Sequence, residues 1–191
     1  MFTCGQDLSA PQKGLFRAEA ARRLAAIPED EIRRGNARIA ARVLSHPAYL
    51  AAKTVFIYHS VGREPDTLGI IRTAQQDGKR ICLPRCMAGG MMQLRQIGAL
   101  SDLTETHFGI PEPGEHCPEL SAGDIDLAVI PCVAANRAAL RLGHGGGYYD
   151  RFLAEFTGTS LLLCREALVF PHIPSDAHDL SCTELITDKK I

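Results

Sequence analysis

Continuous apolar runs and helical stripes alternate along this chain. Residues 54–58 read Thr-Val-Phe-Ile-Tyr and residues 126–130 read Asp-Leu-Ala-Val-Ile. Such β-branched and aromatic runs mark strands covered on both faces, as in a parallel sheet. Residues 80–83 and 159–164 predict two more strands, and 92–97 alternates as a half-exposed strand does. Between them lie helical patterns. Ser9 is the expected N-cap of a helix reaching about residue 26, with Pro11 in its first turn and Phe16, Ala20, Leu24 and Ile27 as its buried stripe. A second helix opens at Pro28 and ends before Pro47, supported by Glu29–Arg33 and Asp30–Arg34 at i,i+4 spacing; others are expected over 66–77 and 148–156. This order predicts an α/β fold: one three-layer domain spanning residues 1–191, its central sheet mainly parallel and flanked by helices. Ligands in such sheets bind beyond the carboxyl ends of strands, where residues 59–67 and 131–147 begin.

Composition narrows the function. The 191 residues are 46% hydrophobic and 23% charged, with a formal net charge of −1. Nothing global attracts nucleic acid or an anionic membrane, so recognition of phosphate must be local. Eight of the 21 basic residues lie between Lys13 and Arg42. The longest uncharged run, 127–136, is about half of the ~20 residues a spanning helix needs. Seven cysteines without a CxxC pair imply a reduced, cytoplasmic protein and argue against structural zinc. Neither nucleic acid nor membrane is expected as a partner, and monomeric action is expected.

The most specific chemistry lies in residues 141–151, Arg-Leu-Gly-His-Gly-Gly-Gly-Tyr-Tyr-Asp-Arg. Four glycines in five positions are entropically costly, so the loop needs conformations or close approaches that side chains forbid. A loop opening into a helix presents unpaired N–H groups at the positive end of the helix dipole, and flanking Arg141 and Arg151 add guanidinium forks. Asp150 is a natural magnesium ligand beside phosphates. No lysine follows the glycines as a Walker A loop requires, and Tyr148 stands where a dinucleotide fingerprint needs glycine. The bland alternative is a tight strand-to-helix turn.

The same string resembles the signature of the 5-formyltetrahydrofolate cyclo-ligase family. The resemblance continues through Lys13-Gly-Leu-Phe-Arg17, Glu64-x-Asp-Thr67, Leu83-Pro-Arg85, Gly109-Ile-Pro-Glu-Pro113 and His178-Asp179, in family order over nearly the whole chain. It implies a fold like that of the NagB/RpiA/CoA-transferase group. It also implies ATP-dependent cyclisation of 5-formyltetrahydrofolate to 5,10-methenyltetrahydrofolate, with ATP as co-substrate and Mg2+ as cofactor.

Carried onto this chain, the resemblance assigns ATP binding to Lys13, Arg17, Arg141, Leu142, Gly143, His144, Gly145, Gly146, Gly147, Tyr148 and Tyr149. Arg141 and Lys13 would be catalytic, His59, Glu64 and Tyr148 would contact the folate, and Asp150 with Asp179 would hold magnesium. By residue type alone, Lys13 and Arg17 are more simply read as solvent-facing charges one helical turn apart, and Glu64 as an ordinary surface carboxylate. His144 occupies a variable position in the signature and reads as a loop residue; His172 and His178 lack metal spacing. The chain departs from the family at Cys132, Ala135, Asn136, Ala139, Thr183 and Leu94, where many relatives carry other residues, with glycine common near 139. Two alternatives therefore stay open: an enzyme of the same fold acting on a different formyl or amide substrate, and a non-catalytic folate or nucleotide binder.

Overall fold

A computed structural model describes residues 9–105 and 109–189. Helix α1 (Ser9–Ala25) begins at the expected serine, which is its first helical residue. Helix α2 (Glu29–Leu44) starts after Pro28, carries Glu29, Asp30 and Glu31 in its first turn, and buries Ile32, Gly35, Ile39 and Val43. Acidic groups at an N-terminus and apolar residues at i+3 and i+4 steps are what a core-facing helix requires. The Asp30–Arg34 pair forms at 2.6 Å. A short helix, α3 (Pro47–Ala51), follows, with His46 Nδ1 accepting the Ala48 N–H at 3.1 Å.

Strand β1 (Thr54–Ile57) leads through residues 58–67 into α4 (Leu68–Gln76) and then β2 (Arg80–Cys86). Strands β3 (Met92–Ile97), β4 (Leu103–Glu105), β5 (Pro111–Pro113) and β6 (Glu119–Leu120) come next, and β7 (Leu127–Ile130) follows. Strands β8 (Ala134–Ala135) and β9 (Arg141–Leu142) form a small hairpin before α5 (Tyr148–Glu155), β10 (Thr159–Leu163) and β11 (Glu184–Ile186). The seven-stranded sheet has the order β11-β10-β7-β1-β2-β3-β6. Five strands run parallel, with Val55 opposite both Ile81 and Leu127; β3 and β6 complete one edge antiparallel.

Strand alternation sorts the core into two faces. Phe56, Ala128, Ile130 and Leu162 pack with Ala20 of α1 and Phe152 of α5. Val55, Ile57, Leu127, Val129, Leu161 and Leu163 pack with Ile39 and Val43 of α2 and Ile70 and Ile71 of α4. Because both faces are dry, the strands carry no polar face, which is why their sequences read as unbroken apolar runs. Asp126 closes the start of the sheet, its Oδ2 accepting the Lys53 and Thr54 N–H groups at 2.8 Å each. Those bonds hold its carboxyl below the usual range.

Candidate active site

Beyond the carboxyl ends of β1, β2 and β7 opens a cleft of about 1150 Å3, bounded by α1, residues 58–64, residues 110–112, the glycine loop and residues 176–180. The glycine loop is shaped by its own backbone. Gly145 and Gly147 have φ of 101° and 67°, and Gly147 is the left-handed residue from which α5 starts. Gly143 differs: a Cβ there would meet nothing within 4 Å. A side chain there would meet no part of the fold.

Every cation expected at the phosphates is anchored beside this loop. Arg141 is buried on β9, its Nη2 2.7 Å from Asp150 Oδ1, while its Nη1 donates to the Leu180 carbonyl at 2.8 Å. Asp150 Oδ1 also accepts the Leu180 N–H at 3.2 Å. Lys13 Nζ sits 2.5 Å from Asp176 Oδ2 and 2.7 Å from Asp179 Oδ2, its side chain only 13% exposed. Burial pulls its pKa down, but hydrogen bonds and charge from Asp176 and Asp179 outweigh that and leave it above the ordinary lysine value. Arg17 Nε donates to the Gly143 carbonyl at 2.8 Å, tying α1 to the loop. Arg151 instead bridges two carbonyls, Gly90 at 3.0 Å from Nε and Gly146 at 2.5 Å from Nη2.

The remaining expected residues divide by role. Leu142 lies in the core and its carbonyl accepts the Val133 N–H at 2.8 Å, so its side chain supports the loop from beneath. His144 is exposed on the cleft wall. Tyr148 lies close over Gly146, where an added Cβ would come 2.5 Å from its ring, and Tyr149 packs on Phe56 with centroids 6.3 Å apart. Burial pushes the Tyr149 phenol well above its usual range. Across the cleft, Glu64 Oε2 accepts the Val61 N–H at 2.8 Å. Burial raises the Glu64 carboxyl, opposed by that hydrogen bond and by His144. His59 Nδ1 is buried and has no hydrogen-bond partner. Sequence reasoning names both walls but does not bring them together; the fold does.

Asp150 and Asp179 line the same cleft, each on a different cation, and no group of three or more His, Cys, Asp or Glu side chains among the described residues forms a ready metal cluster. As hard oxygen donors they fit magnesium, which commonly takes only one or two carboxylates and keeps its waters. Two further carboxylates join the cleft that residue type and motif position do not single out. Asp176 joins Lys13, and its only sequence signal is its place three residues before Asp179. Glu112 is buried at the cleft, its Oε1 accepting the Cys86 N–H at 3.2 Å; it lies inside the Gly-Ile-Pro-Glu-Pro motif, which could have flagged it. Burial first, and the Glu112 contact second, push the Cys86 thiol up to about 12.

The departures from the family pattern fall mostly away from the cleft. Thr183 exchanges hydrogen bonds with Ser160 at 2.9 and 3.0 Å, Leu94 is core, and Ala135, Asn136 and Ala139 belong to the β8–β9 hairpin and its turn. Cys132 alone of the six lines the cleft.

The family model described as 5-formyltetrahydrofolate cyclo-ligase matches residues 9–188. A 5-formyltetrahydrofolate cyclo-ligase of Mycolicibacterium smegmatis is 30% identical, covering 96% of this chain and 97% of its own; that of Mus musculus is 29% identical, covering 94% of each. The solved 5,10-methenyltetrahydrofolate synthetase of Aquifex aeolicus superposes with a TM-score of 0.83 at 28% identity, over 93% of this chain and 90% of that one. A second solved synthetase, from Mycoplasma pneumoniae, shares the fold with a TM-score of 0.75 at 18% identity, over 93% of this chain and 99% of that one. With a match that spans α1, the glycine loop and the C-terminal carboxylates alike, the chain belongs to the 5-formyltetrahydrofolate cyclo-ligase family.

Proposed function

We propose that this protein cyclises 5-formyltetrahydrofolate to 5,10-methenyltetrahydrofolate, converting ATP to ADP and phosphate. One observation carries the reading: a cleft above the ~300–1,000 Å3 of ordinary ligand pockets joins a cation-rich glycine loop to an apolar wall bearing a desolvated carboxylate. It has room for two ligands of opposite character.

The chemistry accounts for both walls. An amide oxygen is a poor leaving group. The N5-formyl oxygen attacks the γ-phosphorus, the bond to the β-bridging oxygen breaks, and ADP departs. N10 then attacks the formyl carbon, loses its proton, and expels phosphate carrying the former formyl oxygen. Such a sequence needs alignment and charge stabilisation more than a protein nucleophile. Main-chain N–H groups of residues 143–147 cradle the phosphates, Arg141 and Lys13 neutralise the transferring group, and Arg17 holds the loop. Asp150 and Asp179 are the residues that would hold magnesium, which would supply charge neutralisation during the transfer. Glu64 accepts from the pterin N–H donors, Tyr148 flanks the heterocycle, and His59 gains a partner for its buried nitrogen. The whole chain acts as one domain and as a monomer. Its six described cysteines are free, which supports a reducing, cytoplasmic setting.

A second reading, a related enzyme acting on a different formyl or amide substrate, draws on Cys132 in the cleft wall. Mixing protein, ATP, magnesium and 5-formyltetrahydrofolate decides between them. The proposal expects the absorbance of methenyltetrahydrofolate to rise with stoichiometric ADP. ATP binding without that product favours the second reading, and tight binding of both ligands without ADP makes the protein a binder.

A further inference from the structure

Arg165 follows β10 and is 2% exposed, yet among the described residues no carboxylate forms a direct ion pair with it. Its Nε donates to the Arg63 carbonyl at 2.9 Å, and its Nη2 donates to the Glu64 carbonyl at 2.9 Å and to Asn36 Oδ1 at 2.8 Å. Burying a guanidinium is expensive, and here burial pulls its pKa below the ordinary arginine value, with Asp188 opposing. Leu161 and Leu163 of β10 share one apolar cluster with Ile39 and Val43 of α2, so apolar packing also joins this strand to the helix.

Its donors converge on one short turn. Asn36, which takes one of them, accepts the Asp66 N–H at 3.3 Å, so it grips the same turn from α2. Arg63 reaches the Ile27 carbonyl between α1 and α2. The peptide units behind Glu64 are thus held from three directions, while its carboxylate, steadied by the Val61 N–H, lines the cleft.

We propose that Arg165 is a positioning residue for the folate half of the site: its fork fixes the two peptide units that carry Glu64, so the carboxylate meets the pterin edge without rearrangement of the turn. This rests on the reading that Glu64 contacts the reduced folate. A planar fork spans two carbonyls and an amide oxygen at once, whereas an ammonium acts as a point charge.

The test measures KM for both substrates in Glu64→Gln, Arg165→Lys, Asn36→Ala and the Glu64→Gln/Asn36→Ala double variant. Arg165→Lys is expected to raise KM for 5-formyltetrahydrofolate about tenfold while KM for ATP changes less than about twofold, since misplacing a contact by a fraction of an ångström acts locally. Asn36→Ala should move the same parameter about threefold and add nothing in the Glu64→Gln background, the signature of residues acting through one another. Should Arg165→Lys fail to fold, the Asn36 cycle decides alone. Equal changes in both KM values, or independent effects of Asn36→Ala and Glu64→Gln, overturn the inference. Glu64→Gln without effect on the folate KM would instead remove the reading beneath it.

Discussion

The two walls of the cleft are prepared for their ligands in opposite ways. On the nucleotide wall every cation already has an anionic or carbonyl partner: Arg141 has Asp150 and the Leu180 carbonyl, Lys13 has Asp176 and Asp179, and Arg17 has the Gly143 carbonyl. On the pterin wall His59 Nδ1 is buried without a partner and Glu64 is pushed toward its neutral form by burial. On the proposed reading, a triphosphate would exchange partners among groups already held in place, and a folate would give the buried His59 nitrogen a partner and share the Glu64 carboxylate. The first wall resists distortion through ion pairs; the second gains affinity from groups left costly until the ligand arrives.

The largest effect that can break this comparison is at Arg141. Arg141→Ala should lower kcat by about 10²-fold or more, the scale of losing one strong electrostatic stabiliser, as read by ADP release at saturating substrates. Unchanged kcat would remove the nucleotide wall from the chemistry. Two glycines sharpen the point. Gly147→Ala forces a left-handed backbone on alanine and brings its Cβ to 2.8 Å from Arg151, so it should lower stability by about 1–2 kcal/mol in thermal or denaturant unfolding. Gly143→Ala meets open space and should leave stability intact while raising KM for ATP about tenfold, because it intrudes only where the ligand sits.

Glu64 tests the pterin wall, with a sign that separates function from stability. Its pKa is raised in the folded protein, so below the ordinary carboxylate pKa both states are protonated and burial adds no charge penalty. As pH climbs through the raised value, the folded state must hold a desolvated charge and loses stability. Glu64→Gln should accordingly raise Tm at neutral pH, with the gain vanishing near pH 4, while raising KM for 5-formyltetrahydrofolate about tenfold through a lost charged acceptor. A variant that binds folate normally contradicts the role of the carboxylate; one less stable at neutral pH contradicts its desolvation.

The smallest effect lies outside both walls. Ala139 has φ of 54° in the β8–β9 turn, a left-handed conformation that favours glycine. Ala139→Gly should change stability by less than about 1 kcal/mol, because relief of the left-handed cost of alanine is offset by the loss of a buried methyl group and by the freedom glycine regains when unfolded, with kcat unchanged. A loss well beyond that would show that the turn is not strained.

These contrasts also explain what the sequence made legible. The parallel strands β1, β7 and β10 were readable because burial on both faces leaves uniform apolar runs, and the glycine loop because its composition is so costly. Helix α3 and strands β4, β5, β6, β8, β9 and β11 leave no such pattern. Each is five residues or shorter, too brief for periodicity to register. At the site, motif positions name Lys13, Glu64, Asp150 and Asp179, but not which groups they pair with. The Lys13–Asp176 and Lys13–Asp179 pairs span 163 and 166 residues, and the Arg165 fork reaches back about a hundred to the Glu64 turn. Local pattern reports which residues can act; only the fold reports which of them already hold one another.

The central claim is that the terminal phosphoryl group of ATP passes to the formyl oxygen. It is tested most directly by turnover of 5-formyltetrahydrofolate labelled with oxygen-18 in the formyl group, followed by mass analysis of the inorganic phosphate. The account predicts one labelled oxygen in each phosphate released. Unlabelled phosphate, formed while methenyltetrahydrofolate accumulates, would contradict it.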